Sequence, residues 1–331
     1  MNSREIILAN LEHTNPDRPG FTFDNGRLDD TLLVSPGQPK SYQPERWVEG
    51  SREFYDDEWG NLWVRMVDGC IKGEIIKPVL DNWDKLDSLE LPDYSDPAIW
   101  QPMRDRFAQA GDKFKLAGIG GWIFDNARYL RKMEVYFLDM VEYPQQLHRL
   151  HERVASVYET KIRAAAGAGA DGIFIGEDMG TQTGLLFSPA MWREFFKNLY
   201  SQLLGIAHEH GLKVFLHSCG YNWDIIDDLI DAGVDCFQFD QPAAYDMPAL
   251  AEKFKARKAA LWSPVDIQKV LPTGDRELIE SEAQRMIELF GGFVVFKNYP
   301  DLPGIGVKPE WDMWAYDALL RASGLDPVNI A

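Results

Sequence analysis

From residue 171 to residue 297 the chain alternates short apolar runs with longer stretches of helical period, and no other feature limits its fold as strongly. DGIFIG (171–176), KVFLHS (213–218), VDCFQF (234–239), AALWS (259–263) and GFVVFK (292–297) are rich in β-branched and aromatic residues. Runs this short and this apolar read as strands buried on both faces. Between the first two, residues 188–211 place Trp192, Phe195, Phe196, Leu199, Leu203 and Ile206 on one stripe, opened by Ser-Pro and closed at Gly211, the marks of a helix. Residues 223–233, 246–257 and 275–291 follow the same plan. Strands alternating with helices of this length imply parallel βαβ units. PGFTFD (19–24) and FKLAGIG (114–120) add two strands in the first half. The expectation is a single α/β domain over residues 1–331, a (β/α)8 TIM-type barrel with seven strands visible and the eighth irregular or hidden in 60–80. That stretch itself reads as an antiparallel hairpin excursion in the N-terminal half. An open doubly wound sheet is the competing architecture.

Composition narrows the partners. The formal charge of -18 and the lack of any Lys/Arg run exclude a nucleic-acid or anionic-membrane surface. An anionic substrate would need a local Lys or Arg to offset the field. Three cysteines, Cys70, Cys219 and Cys236, do not make a disulfide framework. With no apolar run long enough to span a bilayer, the expected compartment is the cytoplasm.

In parallel α/β folds the chemistry gathers at the C-terminal ends of the strands. His217 is the sharpest residue there, because it alone among the six histidines ends an apolar strand. His217 and Cys219, two apart, point to the same face, and an imidazole with a thiolate makes a good zinc pair. The bland alternative is a core histidine beside a small buried cysteine. Glu177 and Asp178 follow the neighbouring strand, and Glu177 would complete a three-ligand site with an open fourth position, the arrangement of catalytic zinc. They could equally cap the next segment or pair with a Lys or Arg. Asp24, Asn25, Gln241, Asp266 and Lys297 are the further strand-end residues expected at a substrate, and Trp122, Trp223 and Trp262 are expected to wall its pocket. Cys236 starts its strand and should lie at the opposite end of the barrel; Cys70 falls in the excursion. Lys297 could be a Schiff-base amine, but more often such a residue is an ion-pair partner.

REIILANLEHTNPDRPGFTF, GEDMGTQTGLLFSPAMWREFF, HSCG with DLIDAGVDCFQ, and DIQKVLPTG together resemble the uroporphyrinogen decarboxylase-like superfamily over nearly the whole chain. The resemblance implies a (β/α)8 barrel. True uroporphyrinogen decarboxylases carry an Arg-rich segment near the N-terminus, where this chain reads FTFDNGRLDD. The chain is more similar to the branch of zinc- and corrinoid-dependent methyltransferases, whose zinc is held by a His-x-Cys and a late Cys. His217 and Cys219 match the first part. The late segment is KNYPDLPGIG without cysteine, leaving Glu177, Asn298 or Tyr299 as substitutes. The function so implied is transfer of a methyl group from a small methylated substrate, such as a methyl ether, to a corrinoid carried on a partner protein. Glu177, Asp178 and His217 would be the catalytic residues, and a homodimer is among the expected assemblies. A metal-free decarboxylase using Asp24 or Asp178, and a barrel that only binds a small molecule, are the alternatives.

Overall fold

The computed structural model describes residues 1–67 and 73–327; Cys70 lies outside them. The seven expected strands are all present as β1 (Gly20–Thr22), β7 (Phe114–Gly118), β8 (Gly172–Gly176), β9 (Lys213–His217), β10 (Cys236–Gln238), β11 (Ala260–Ser263) and β12 (Val294–Lys297). The eighth barrel strand is β2 (Thr31–Val34), only a short turn after β1. The excursion is larger than a hairpin: β3 (Arg46–Glu49), β4 (Arg52–Asp56), β5 (Leu62–Met66) and β6 (Glu74–Lys77) form a four-stranded antiparallel meander. The large sheet runs β1-β12-β11-β10-β9-β8-β7-β2, and every pair in it is parallel. That order never reverses, as a doubly wound sheet would require, so the sheet curls into a nearly closed TIM-type barrel with a seam between β1 and β2.

Alternation along the strands decides what fills the barrel. Phe114, Leu116, Phe215, Cys236, Ala260, Trp262 and Val295 pack on one another inside it, joined by Ile7 and Leu11. The last two come from helix Ser3–Glu12, which plugs one end and starts in a capping box of Asn2 and Glu5. The plug seats closely: a Cβ on Gly20 would stand 2.6 Å from the Ile7 Cδ1. Leu216, Phe237 and Leu261 face outward into the larger core between sheet and helices. Cys236, wholly buried in the barrel, has its thiol pKa raised by burial.

The meander sits between β2 and β7 in the chain and caps the C-terminal mouth. Trp63 meets Tyr129 of the barrel layer edge-on at 5.0 Å. The chain leaving the meander is pinned by Leu80 N–H to Leu130 O (3.0 Å) and Arg131 Nη1 to Leu80 O (2.7 Å). No described helix is long and apolar enough to cross a membrane.

His151, on helix Pro144–Gly167, is fully buried against Phe195 and Phe196, with Nε2 on the Tyr136 hydroxyl at 2.9 Å. Burial, helped by neighbouring His148, pushes its pKa down to about 3. The unfolded chain therefore binds a proton that the folded chain refuses. This contribution to stability is complete above the ordinary histidine pKa near 6.5, and shrinks as pH falls toward 3, by at most about 1.4 kcal/mol per pH unit. Urea midpoints measured from pH 7 to pH 4.5 should fall more steeply for the wild-type protein than for His151→Phe. Parallel slopes would show that the imidazole does not titrate on unfolding.

Candidate metal centre and cavity

β8 and β9 pair with Gly176 opposite His217, which sets the facing of everything that follows. Gly176 and His217 both line the interior face, so two residues on, Asp178 and Cys219 share it too, while Glu177 turns away. The two loops are locked together beyond the strands. Gly180 N–H donates to Cys219 O (3.2 Å) and Tyr221 N–H to Thr181 O (2.8 Å). A Cβ on Gly220, which has a φ of +80°, would stand 2.3 Å from the Gly180 backbone. Only glycine permits that approach in that conformation.

The result is a cluster of Asp178, His217 and Cys219 whose donor atoms lie within 4.8 Å of one another. His217 Nε2 is 3.3 Å from Asp178 Oδ1 and 3.4 Å from Cys219 Sγ, and the Cys219 N–H donates to the same Asp178 oxygen at 3.1 Å. The other ring nitrogen, Nδ1, lies 2.5 Å from Gln238 Oε1. Gln238 in turn donates to Asp240 (2.7 Å), which Lys297 also holds (2.9 Å). An amide oxygen can only accept, so Nδ1 carries the proton and Nε2 is aimed at the acid and the thiol. Burial disfavours the charged ring, but hydrogen bonds to Asp178 and Cys219 outweigh it and push the His217 pKa up to about 10. The cluster thus favours a positive charge at its centre. Carboxylate, imidazole and thiolate are a donor set suited to zinc, and a pinned Nδ1–H is how metal-bound histidines are usually held. The residues present fit the metal.

Glu177 is not part of this cluster. It is fully buried, and its oxygens accept from the Phe124 N–H (2.7 Å) and the Tyr200 hydroxyl (2.9 Å). Burial, with Asp125 adding repulsion, raises its pKa well above the usual carboxylate range. The acid beside His217 and Cys219 is Asp178, and the expected ligand set is corrected accordingly.

A cavity of about 570 Å3 opens from the cluster under the meander. Its floor is backbone at the ends of β7 and β8, namely Gly118, Ile119, Gly120, Gly121 and Gly176, and its ceiling is Tyr55, Asp57, Glu58, Trp59 and Trp63. Asp125, Asn126, Tyr129, Tyr158 and Lys161 close the side. Burial lowers the Lys161 pKa to about 8, against an opposing pull from Glu58.

The uroporphyrinogen decarboxylase (URO-D) family model matches residues 61–322. The chain belongs to that family. No curated protein matches the sequence. Among solved structures, a methyltransferase from Methanosarcina mazei is similar at 19% identity, over 76% of this chain and 72% of that one, with a TM-score of 0.60. D-psicose 3-epimerase from Clostridium cellulolyticum H10 is similar at 10% identity, over 73% and 86%, with a TM-score of 0.45. An endo-β-1,4-xylanase from Gloeophyllum trabeum follows at 11% identity, over 65% and 78%, with a TM-score of 0.42. At such identities the likeness is one of fold.

In this URO-D barrel the remaining strand-end residues lie outside the cavity walls. Asp24 is exposed and paired with Arg27 (2.8 Å), and Asn25 donates to it (2.9 Å). Trp122 is wholly buried between Tyr158 and Tyr200. Trp223 lies on the helical layer under the Lys253 ammonium, 4.6 Å away. Trp262 fills the barrel, its Nε1–H on the Thr22 hydroxyl at 2.7 Å. Asp266 accepts from the backbone of Ala243, Gln268 and Lys269 and shapes its own loop. Gln241 keeps a buried Oε1 with no hydrogen-bond partner among the described residues. Lys297 is the ion-pair partner of Asp240, which joins it to the cluster through Gln238. Asn298 accepts from the Asp24 N–H. Tyr299 has its pKa raised by burial and by Asp240, Cys219 and Asp178. The cavity residues that sequence reasoning missed come chiefly from the meander and from helices Ile123–Arg131 and Pro144–Gly167. Lys161 left one trace: it falls on the apolar stripe of Val154, Tyr158 and Ala165, where a charge is out of place.

Proposed function

We propose that this protein is a zinc-dependent methyltransferase that moves a methyl group from a small methylated substrate, such as a methyl ether, to a corrinoid carried by a partner protein. The observation that carries the reading is the convergence of Asp178, His217 and Cys219 at the mouth of a cavity in a URO-D family barrel. Fold likeness to a methyltransferase from Methanosarcina mazei supports it. Zinc, when bound, supplies Lewis acidity to the heteroatom that gives up the methyl group. Asp178, His217 and Cys219 would hold it. Gln238, braced by Asp240 and Lys297, keeps His217 in the tautomer that frees Nε2. The glycine floor lets the substrate approach the β8 and β9 ends without side chains intervening. Trp59 and Trp63 of the meander limit water above it.

The test is metal analysis of protein produced in zinc-replete medium, coupled to methyl transfer onto free cobalamin in the cob(I) state. Stoichiometric zinc, with transfer that a chelator abolishes and added zinc restores, is the expected result. Metal-free protein that does not take up zinc would refute the reading.

A further inference from the structure

Among the described residues lining the cavity, Lys161 is the one cation besides His217, and its ion pair with Glu58 is long. The residue is only 4% exposed. Its Nζ makes one hydrogen bond of ordinary length, to Ile119 O at 3.1 Å. The ion pair with Glu58 of the meander stands at 3.7 Å, past ordinary hydrogen-bond length. The Tyr94 ring faces it at 4.0 Å and the Tyr158 ring at 5.3 Å. A desolvated ammonium costs stability unless it is closely paired, and the lowered pKa of Lys161 agrees with an incomplete pairing.

The other wall carboxylates are engaged elsewhere. Asp125 is held by Arg128 at 2.7 Å. Asp57 accepts from the backbone N–H groups of Trp59 and Asn61, from Asn61 Nδ2 and from Trp63 Nε1. Asp178 belongs to the metal cluster. Two charged points therefore remain for a ligand, the cluster beside His217 and the ammonium of Lys161. Between them lies the backbone floor, running from Ile119, whose carbonyl holds Lys161, to Gly176 opposite His217.

We infer that Lys161 is the anchor for a carboxylate on the substrate, so that the cavity takes a small acid whose methylated end lies at Asp178, His217 and Cys219. The inference rests on the proposed function for the identity of that methylated end, but its test needs neither transfer nor metal. The ligand's carboxylate accepts from Nζ, supplying a closer counter-charge than Glu58 gives at 3.7 Å. The acidic whole still repels anions, and Lys161 offsets that repulsion locally.

Calorimetric titration of the full chain, zinc-loaded and metal-free, with 4-methoxybenzoate, 4-methoxybenzamide and 4-methoxybenzylammonium compares one ring carrying three charges. The wild-type protein should bind the benzoate about tenfold or more tighter than the amide in both forms, as a charged hydrogen bond implies. Lys161→Met should erase that preference, and Lys161→Arg should restore part of it. Glu58→Gln, at a partly exposed position, removes the competing acid and should tighten benzoate binding severalfold. The idea is overturned by a wild-type preference for the amide or the ammonium, by failure of the benzoate to bind, or by a benzoate preference that survives Lys161→Met. If Lys161→Met does not fold, a Glu58→Gln protein with unchanged or weaker benzoate affinity overturns it instead. Loss of zinc or of transfer activity with benzoate binding intact would count against the proposed function and leave the anchor standing.

Discussion

His217→Ala protein should fold and purify like the wild type yet bind zinc about 10²–10³-fold more weakly, with methyl transfer lost. The size follows from the metal's total binding free energy, about 10–16 kcal/mol at structural sites, shared among a few ligands, so that one ligand accounts for about 3–4 kcal/mol. Asp178→Ala and Cys219→Ala should behave alike. Gln238→Leu, which removes only the acceptor for Nδ1–H, should weaken binding about 10–100-fold. Competition with a chromogenic chelator measures each. If His217→Ala retains stoichiometric zinc while Glu177→Gln loses it, the centre is not where Asp178, His217 and Cys219 converge.

Glu177→Ala is the second large effect, and it falls on stability. The substitution strands two buried donors, the Phe124 N–H and the Tyr200 hydroxyl. Each unsatisfied group costs about 1–3 kcal/mol, so denaturant melts should show a loss of about 2–6 kcal/mol. Burial favours the neutral acid at Glu177, and a glutamine copies that neutral shape. Glu177→Gln should therefore lie within about 1 kcal/mol of wild type and keep its zinc. The raised value also gives a sign. Folding takes up a proton at Glu177 above the ordinary glutamate range, so its contribution is most favourable at low pH and is lost as pH rises through the folded pKa. Melts of Glu177→Gln should lack that loss with rising pH.

The two acids after β8 show what could and could not be read from the chain alone. Alternation within one strand put His217 and Cys219 on the same face, and they do lie together. Choosing between Glu177 and Asp178 needed the register of β8 against β9, because a shift of one residue turns every side chain to the other face. Sequence carries no register for strands buried on both sides, whose faces are both apolar. The pairing of Gly176 with His217 settles it in favour of Asp178. The same limit hid β2. TLLV follows β1 after a short turn with no crossover helix, so a search for strand–helix alternation passes over it. The barrel was legible because its later strands are separated by full helices. The cavity was not, because its ceiling comes from the meander and its side from helices Ile123–Arg131 and Pro144–Gly167.

That ceiling is a single insertion between two neighbouring barrel strands, β2 and β7, while Asp178, His217 and Cys219 sit at the end of β9 and in the loops after β8 and β9. The ceiling and the acid–imidazole–thiol cluster are thus written in separate stretches of the gene. Mutation can redraw the upper wall without touching the strand ends that carry Asp178, His217 and Cys219. A lineage built this way can change diet while keeping its chemistry.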